Sequence, residues 1–587
     1  MADGPPAGEN PESLLNETLF PDDAYERRTY WADLPRKQKL AWVNRQAREE
    51  SGRELASVWE IFKKDPLRPF SLYFQNYVVT GMGFFTEGYT LFSVGNLLTL
   101  FEAVWPECYK NYQVCSSVWV QAINYLEIVG IILGQTMIGI VGDWIGRRWG
   151  IIQDAVTMCL GATLLTAMWG RSLYGWTIMY ALALLVFGIG VGGEYPMTSI
   201  TAMEGVRGQG TTRADKLHRG RTVTLSFLMQ GWGQVINQVV LILCMLVFHG
   251  GGNPPYSKLA TQWTFRVSFA FIVAFLVYLI YLPSRQRSNV TGYDVKSLKL
   301  VSSHYWHRLV GTSLCWFCND FPFYGNQIFR NAFLKIVTSN SDEVVTQWLW
   351  NLTNVGCELV GYYLASMLID YKLYGRKRMQ AVGFLMSFIL FIIAAAAFPI
   401  LDVPGPGGHG FEFIYFFSSF WIQFGPNSTT FILAAEVYPA PVRATAHGVS
   451  AAVGKLGALA ATILYNYISA RVKFWVVSWF GLIGFILTVV FIPDTTGLDL
   501  REQERYWQFV REGREQEYHG IAIHPRHLSL YERVILKRGN RYDGELDRQM
   551  KMDELRKLYE KVNEATGKEE KEDDRCDGDC QRVQCMS

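Results

Sequence analysis

Seven ionisable side chains, Glu87, Glu127, Asp154, Glu194, Asp320, Glu358 and Lys455, lie inside stretches that are otherwise apolar. A charge at the centre of a bilayer costs at least ~2.5 kcal/mol, so such residues face a cavity or a partner rather than lipid. Six are carboxyls, and a carboxyl in a low-dielectric cavity can exchange protons near neutral pH, the chemistry that proton-coupled transport requires. Lys455, the single deep base, can counter an anionic substrate. Glu127, Asp154 and Glu358 are expected within two or three turns of the cytosolic face, paired with Arg147, Arg148 or the basic run Arg376 to Arg378. Glu87, Glu194, Asp320 and Lys455 sit deeper, among polar, Gly-rich or aromatic residues, and are the functional candidates.

The elements that position these residues must cross lipid. Half of the 587 residues are hydrophobic and 18% are charged, against roughly 25% in a soluble domain. A membrane-crossing helix needs about 20 mostly apolar residues. About twelve stretches qualify, near 74–101, 118–141, 149–170, 174–200, 221–248, 264–283, 306–335, 346–369, 379–400, 410–436, 445–469 and 473–493. The reading is an all-α polytopic membrane protein whose twelve helices form two six-helix bundles, 74–283 and 306–493. A basic central loop, 284–305, joins them, and polar tails, 1–73 and 494–587, flank them. Helices are expected around 35–63 and, with amphipathic character, 546–563; the mixed-charge run Glu569 to Asp574 reads as disordered. Lys and Arg cluster in alternate loops, around Arg147, Arg213 to Arg221, Arg285, Arg376 and Arg443, which places those loops and both termini in the cytosol.

The turn Gly142-Asp143-Trp144-Ile145-Gly146-Arg147-Arg148 is echoed by Asp370-Tyr371-Lys372-Leu373-Tyr374-Gly375-Arg376-Lys377-Arg378 six helices later. Such a repeat fits two parallel halves with a substrate site between them at mid-depth. A net charge of +2 gives no support to nucleic-acid binding. No cofactor or metal is expected, because no metal-ligand spacing, nucleophile-base pair or phosphate-cradling Gly loop stands out, and an enzyme is the least supported class. Gly188, Gly190, Gly192 and Gly193 instead let helices approach closely, and Pro196 bends the segment beside Glu194. Cys315 and Cys318 read as small buried residues rather than a redox pair. Cys108 and Cys115 fall in the first outward loop, where a disulfide and two free thiols are equally open. The sequon at Asn289 lies on the cytosolic side and is expected to be silent.

Three further segments carry a resemblance: Gly190-Val191-Gly192-Gly193-Glu194-Tyr195-Pro196, Trp316 to Tyr324, and Phe424-Gly425-Pro426-Asn427-Ser428-Thr429-Thr430-Phe431 with its continuation to Lys455. With the GDWIGRR turn they resemble the phosphate:proton symporter family of fungi and plants, within the major facilitator superfamily. The resemblance covers nearly all of 74–500. It implies that Tyr195, Gln230, Trp316, Asp320, Tyr324, Asn427 and Lys455 surround a bound phosphate, with neutral donors and one cation meeting its oxygens. It also implies proton coupling through Glu87, Glu194 and Asp320, and conformational gating by Asp143, Gly146, Arg147, Arg148, Gly375 and Arg376.

Glu87 and Glu194 stand where the family carries aspartates, and Thr90 stands where it commonly carries a second acid. The expected function is therefore proton-coupled import of inorganic phosphate across the plasma membrane by alternating access. A glycerophosphodiester or other organic-solute permease is the alternative, and a nutrient receptor with a transporter shell is the rival from another class. The partners implied are an inorganic phosphate or organophosphate anion, protons and the lipid bilayer.

Overall fold

The computed structural model describes residues 21–145, 147–205, 218–250, 254–281, 295–328, 343–401 and 406–557. Gly146 and the run Glu569 to Asp574 lie outside the described residues, as do the side chains of Arg147 and Arg148. A two-stranded antiparallel hairpin, β1 (Tyr25–Glu26) with β2 (Thr29–Tyr30), precedes a long helix α1 (Arg36–Lys64). The first half of the bundle follows: α2 (Met82–Val104), α3 (Ser117–Trp144), α4 (Arg147–Ala167), α5 (Leu173–Gly205), α6 (Arg219–Phe227) continued by α7 (Met229–Phe248), and α8 (Lys258–Tyr281). A short α9 (Val295–His304) leads into the second half: α10 (Trp306–Ile328), α11 (Val344–Leu368), α12 (Gly375–Ala396), α13 (Pro406–Ile422) continued by α14 (Ser428–Glu436), α15 (Arg443–Leu464) and α16 (Ala470–Phe491). The tail adds α17 (Leu500–Arg511), α18 (Leu530–Val534) and a helix over 544–557.

Eight of the bundle's crossings are long and apolar enough to span a membrane by length and composition alone. The other four are those built from α2, α10, α11 and α13–α14, and polar residues interrupt each: Glu87 and Asn96; Asn319 and Asp320; Asn351, Asn354 and Glu358; Gln423 and Asn427. A helix that lines a polar site gives up hydropathy, which only its burial among other helices makes tolerable.

Backbone contact through glycine sets the packing. A Cβ on Gly134 would lie 2.0 Å from the Ile189 carbonyl oxygen, and one on Gly88 would lie 2.0 Å from that of Gln230, so α3 meets α5 and α2 meets α7 without side chains between them. The same device joins the halves, where a Cβ on Gly448 of α15 would lie 2.4 Å from the Gln135 carbonyl oxygen of α3. Two crossings are broken. Between α13 and α14, Gln423–Asn427 forms a π-helical turn in which Gly425 leaves helical geometry ahead of Pro426, a break that frees backbone groups at mid-bundle. Leu228 separates α6 from α7.

The tails fold together into a layer over one end of the bundle, called here the tail end. Trp31 is fully buried beneath the Arg526 guanidinium (4.5 Å to the ring centroid), and Lys372 sits over Trp42. Asp33 accepts from Tyr542 at 2.9 Å and contacts His524 at 3.0 Å. Glu532, wholly buried and held by a capping box with Ser529, pairs with Arg308 at the start of α10 (2.7 Å), with His307 (3.0 Å) and with Arg538 (3.1 Å). Burial raises its carboxyl, but the Arg308 and Arg538 guanidinium groups and the His307 hydrogen bond outweigh that and hold it well below the usual range. The opposite end of the bundle carries the Cys108–Cys115 disulfide and is called here the disulfide end.

His527 links the two tails. Its Nδ1 lies 2.7 Å from the Asp494 carbonyl oxygen and its Nε2 2.7 Å from the Tyr30 hydroxyl. The carbonyl can only accept, so Nδ1 donates, and in the neutral ring Nε2 accepts from Tyr30. Burial, the largest cause, pushes His527 down to about 4. A depressed His pKa makes the docked layer lose stability as pH falls below the free value near 6.5 and until it reaches about 4. Limited proteolysis of the tail should therefore accelerate between pH 7.5 and 5.5. The change at pH 5.5 corresponds to about 1.4 kcal/mol for this one group, and His527→Gln should flatten the dependence; an unchanged profile would remove His527 from the account.

Candidate functional site

At mid-bundle between the halves, the Lys455 ammonium of α15 lies 2.8 Å from Asp320 Oδ2 of α10, and both side chains are about 1% exposed. Removing either partner of a buried pair strands a charge at a cost of about 3–5 kcal/mol. Two aromatic faces complete the cage. Lys455 Nζ is 4.5 Å from the Tyr195 ring centroid and 4.3 Å from that of Tyr324, distances at which desolvated cation–π attraction is substantial.

The two tyrosines carry the network across the half-to-half boundary. Tyr195 of α5 donates to Glu87 Oε1 at 2.6 Å and sits 3.2 Å from the Tyr324 hydroxyl of α10. Gln230 of α7 donates to Tyr195 at 3.2 Å and accepts from Tyr362 of α11 at 2.8 Å. Asn427, in the π-helical turn, donates to Tyr362 (3.0 Å) and to Gln423 (2.7 Å), while Asn319 donates to Asp320 and to Asn427, each at 3.0 Å. Trp316 stands 6.0 Å from the Tyr195 ring and is packed by Gly454, whose absent Cβ leaves room for the indole. Glu87, Tyr195, Gln230, Trp316, Asp320, Tyr324, Asn427 and Lys455 thus come together.

Glu194 does not join them. It lies on the other face of α5, where a Cβ on Gly83 would overlap its carboxyl, Thr198 donates to it, and Asp154 of α4 is its neighbour. The expected Arg partners of the shallower acids are not what the structure places there. Glu358 accepts from Gln327 (2.6 Å), Asn354 (2.9 Å) and Gln423 (3.2 Å), while Arg376 is committed to Asp370 and Glu436. Glu127 begins ten residues into α3 from the disulfide end and seventeen residues, about 25 Å, from Trp144 at the tail end, so the expected position near the tail end is corrected.

Tyr362, Gln423 and Asn319 belong to the site and were not singled out from sequence. A signal was present on α11, where Asn351, Asn354, Glu358 and Tyr362 recur at three- and four-residue spacing on one face.

Contacts between the halves enclose the site on both sides. At the tail end, Asp143 of α3 accepts from the Thr445 backbone N–H (2.6 Å) and hydroxyl (2.7 Å) at the first turn of α15. In the other repeat, Asp370 accepts from the backbone N–H groups of Gly220 (3.1 Å) and Arg221 (2.7 Å) at the first turn of α6. Each echoed aspartate therefore caps a helix of the opposite half, using the positive end of that helix. Glu436 receives Arg219 from the first half (2.8 Å) and Arg376 from the second (3.0 Å), with Thr495 of the tail. Gly375 has φ +64, and its missing side chain accommodates Thr496. At the disulfide end, Asn351 donates to Asn96 at 2.8 Å and Phe92 packs on Phe323 and Tyr324.

Neutralising Glu436 by Glu436→Gln takes the shared carboxylate from the buried Arg219 and Arg376, leaving Arg376 its pair with Asp370, and should loosen the tail end. A cysteine placed at the buried Ser199, on a background without the native free cysteines, is expected to react with a polar maleimide at least about tenfold faster, the effect of ~1.4 kcal/mol. Equal rates in both backgrounds would show that closure does not depend on this acid.

With this geometry in hand, comparison with known proteins is informative. The profile of the family described as "Sugar (and other) transporter" matches residues 76–286 and 283–507. Inorganic phosphate transporter 1-6 of Oryza sativa subsp. japonica is 28% identical over 515 residues, covering 73% of this chain and 92% of its own. Among solved structures, the proton:xylose symporter XylE bound to a bromodeoxyglucose superposes with a TM-score of 0.58 at 17% identity, covering 74% of this chain and 99% of that one. A partially occluded inward-open form of XylE from E. coli gives 0.54 at 16% identity, with 73% and 99% covered. The fold is that of the major facilitator superfamily, and the chain belongs to the sugar (and other) transporter family.

Proposed function

We propose that this transporter carries inorganic phosphate together with protons by alternating access, importing it across the plasma membrane with both tails in the cytosol. The observation that carries the reading is the enclosed Lys455–Asp320 pair at the boundary of the halves. Lys455 is the one cation facing this network among the described residues, and its charge is spent on Asp320. An anion can claim the ammonium only if Asp320 gives it up, and a proton on Asp320 releases it. Proton and anion therefore bind as a set, which is the thermodynamic requirement of symport.

The remaining groups suit a phosphate. Gln230, Asn427, Tyr195, Tyr324 and the Trp316 indole supply neutral donors around one cation, so the anion is bound without being trapped. Glu87, bonded to Tyr195, puts a second carboxyl next to the first. The phosphate transporter name of the rice relative supports the substrate, and the basic loops of the tail end support its cytosolic orientation. Glu194, away from this network with Asp154 and Thr198, joins the proton path only through helix motion of α5.

Labelled phosphate uptake into proteoliposomes under an inward proton gradient tests the reading, with glycerophosphocholine as competitor. Gradient-driven uptake that the competitor leaves untouched is the expected result; flux of the diester without phosphate flux would overturn the substrate. Lys455→Ala should abolish phosphate binding, and retained affinity would remove Lys455 from the site. In Asp320→Asn the ammonium is permanently released, so phosphate exchange at equal pH should persist while gradient-driven accumulation falls at least about tenfold per pH unit for each proton lost; accumulation equal to that of the unmodified protein would show that Asp320 carries no coupled proton.

A further inference from the structure

The buried acids of this protein fall into two kinds. Glu436 is held by two arginines and Thr495, Glu358 by three amides, and Glu532 by two arginines, a histidine and its own cap. Each is fully satisfied, as a structural acid must be. Glu127 and Asp154 are the contrast: Glu127 is 1% exposed and Asp154 fully buried, and among the described residues no carboxyl oxygen of either has a hydrogen-bond partner, but Asp154 lies beside the Glu194 carboxyl whereas Glu127 stands apart from that pair.

Its surroundings repeat the pattern. Thr90 and Ser93 on α2 and the Tyr180 hydroxyl on α5 are also buried polar groups without partners. Leu91 and Ile128, the residues that follow Thr90 and Glu127, belong to one packed cluster with Tyr324, and a Cβ on Gly188 of α5 would lie 2.2 Å from the Glu127 carbonyl oxygen. Glu87 lies one turn of α2 from Thr90, toward the tail end. The titratable groups that act on Glu127 are Glu87 from α2 and Tyr180 from α5. On α4, Asp154 lies against Gly193 and Glu194 nearer the tail end, and on α15 the Lys455 ammonium is turned to Asp320. Among the described residues no cation compensates Glu127, and the α2 group that acts on it is the like-signed Glu87 carboxyl.

A carboxylate enclosed in this way has neither donors nor counter-charge, whereas a carboxylic acid is neutral. We propose that Glu127 is a proton carrier of the transport cycle, additional to the acids of the substrate site. When the disulfide end opens, one Glu127 carboxylate oxygen takes a proton from the aqueous phase and enters the closed form as the acid. Opening at the tail end lets the O–H bond break and returns that proton to water, so no other bond or redox partner is involved. Thr90 and Ser93 follow Glu87 along α2 toward the disulfide end and offer hydroxyls that can both donate and accept. The inference rests on the proton-coupled reading above and adds one proton to it.

The test compares the full chain with Glu127→Gln in proteoliposomes, membrane potential clamped to zero, measuring labelled phosphate and proton entry together. The expected result is one proton fewer per phosphate in the variant and an accumulation ratio about tenfold lower at a gradient of one pH unit, with phosphate exchange at equal pH retained. An unchanged ratio in a coupled protein overturns the role of Glu127 alone. Absence of proton entry with phosphate in the unmodified protein would instead overturn the symport reading, and this inference with it.

Should the variant lose exchange as well, infrared difference spectra of the unmodified protein decide. A carboxylic C=O band that responds to external pH and is deleted in Glu127→Gln supports the proposal. A spectrum identical in the two proteins overturns it.

Discussion

The structure is organised around one ammonium that lipid would not tolerate. Lys455 can sit at the centre of the bundle only because Asp320 neutralises it and two tyrosine faces replace its hydration. Those partners come from different halves: Asp320 and Tyr324 from the second, Tyr195 from the first. The pair therefore does more than cancel charge. It makes the closeness of the halves and the state of the site a single electrostatic problem, and whatever changes Asp320 changes how tightly the two bundles hold.

Closure at the tail end is built from the same kind of exchange. Asp143 and Asp370, equivalent in the repeated turns, each reach across to the first turn of a helix in the other half, and Glu436 gathers an arginine from both. The tails extend this arrangement. Thr495 bonds Glu436, Leu498 accepts from Arg219, and Glu54 of α1 pairs with Arg221 in a bidentate contact. The polar tails form a folded layer with buried residues of its own, Trp31, Trp42, Tyr518 and Ile523 among them.

Several features are legible directly along the chain. Apolar run length and the placement of polar residues identify a polytopic helical protein; in the central network Glu87, Asp320 and Lys455 are charges whose presence in such runs needs explanation, whereas Tyr195, Gln230, Trp316, Tyr324 and Asn427 stand out only through the family resemblance. Tyr362, Asn319 and Gln423 are harder to see because an isolated polar residue in an amphipathic stretch looks like an ordinary helix face. Glu127 lies deeper than expected because α3 runs on to Trp144, seventeen residues beyond it. Glu87 and Glu194 look alike in sequence, yet one faces the Lys455–Asp320 network and the other faces α4.

What the sequence by itself determined is the set of groups that cannot be left in lipid, the repeat that relates two sets of helices, and the alternation of basic loops. Each is a local property, since cost of burial, period and charge belong to the residues themselves. Tertiary structure alone decided who compensates whom: that Lys455 answers Asp320, that Asp143 and Asp370 cap helices of the opposite half, that Glu358 is satisfied by amides, and that Glu127 is not satisfied at all. Pairing is a matter of three-dimensional approach over long chain separations, such as the 135 residues between Lys455 and Asp320, and no spacing along the chain encodes it.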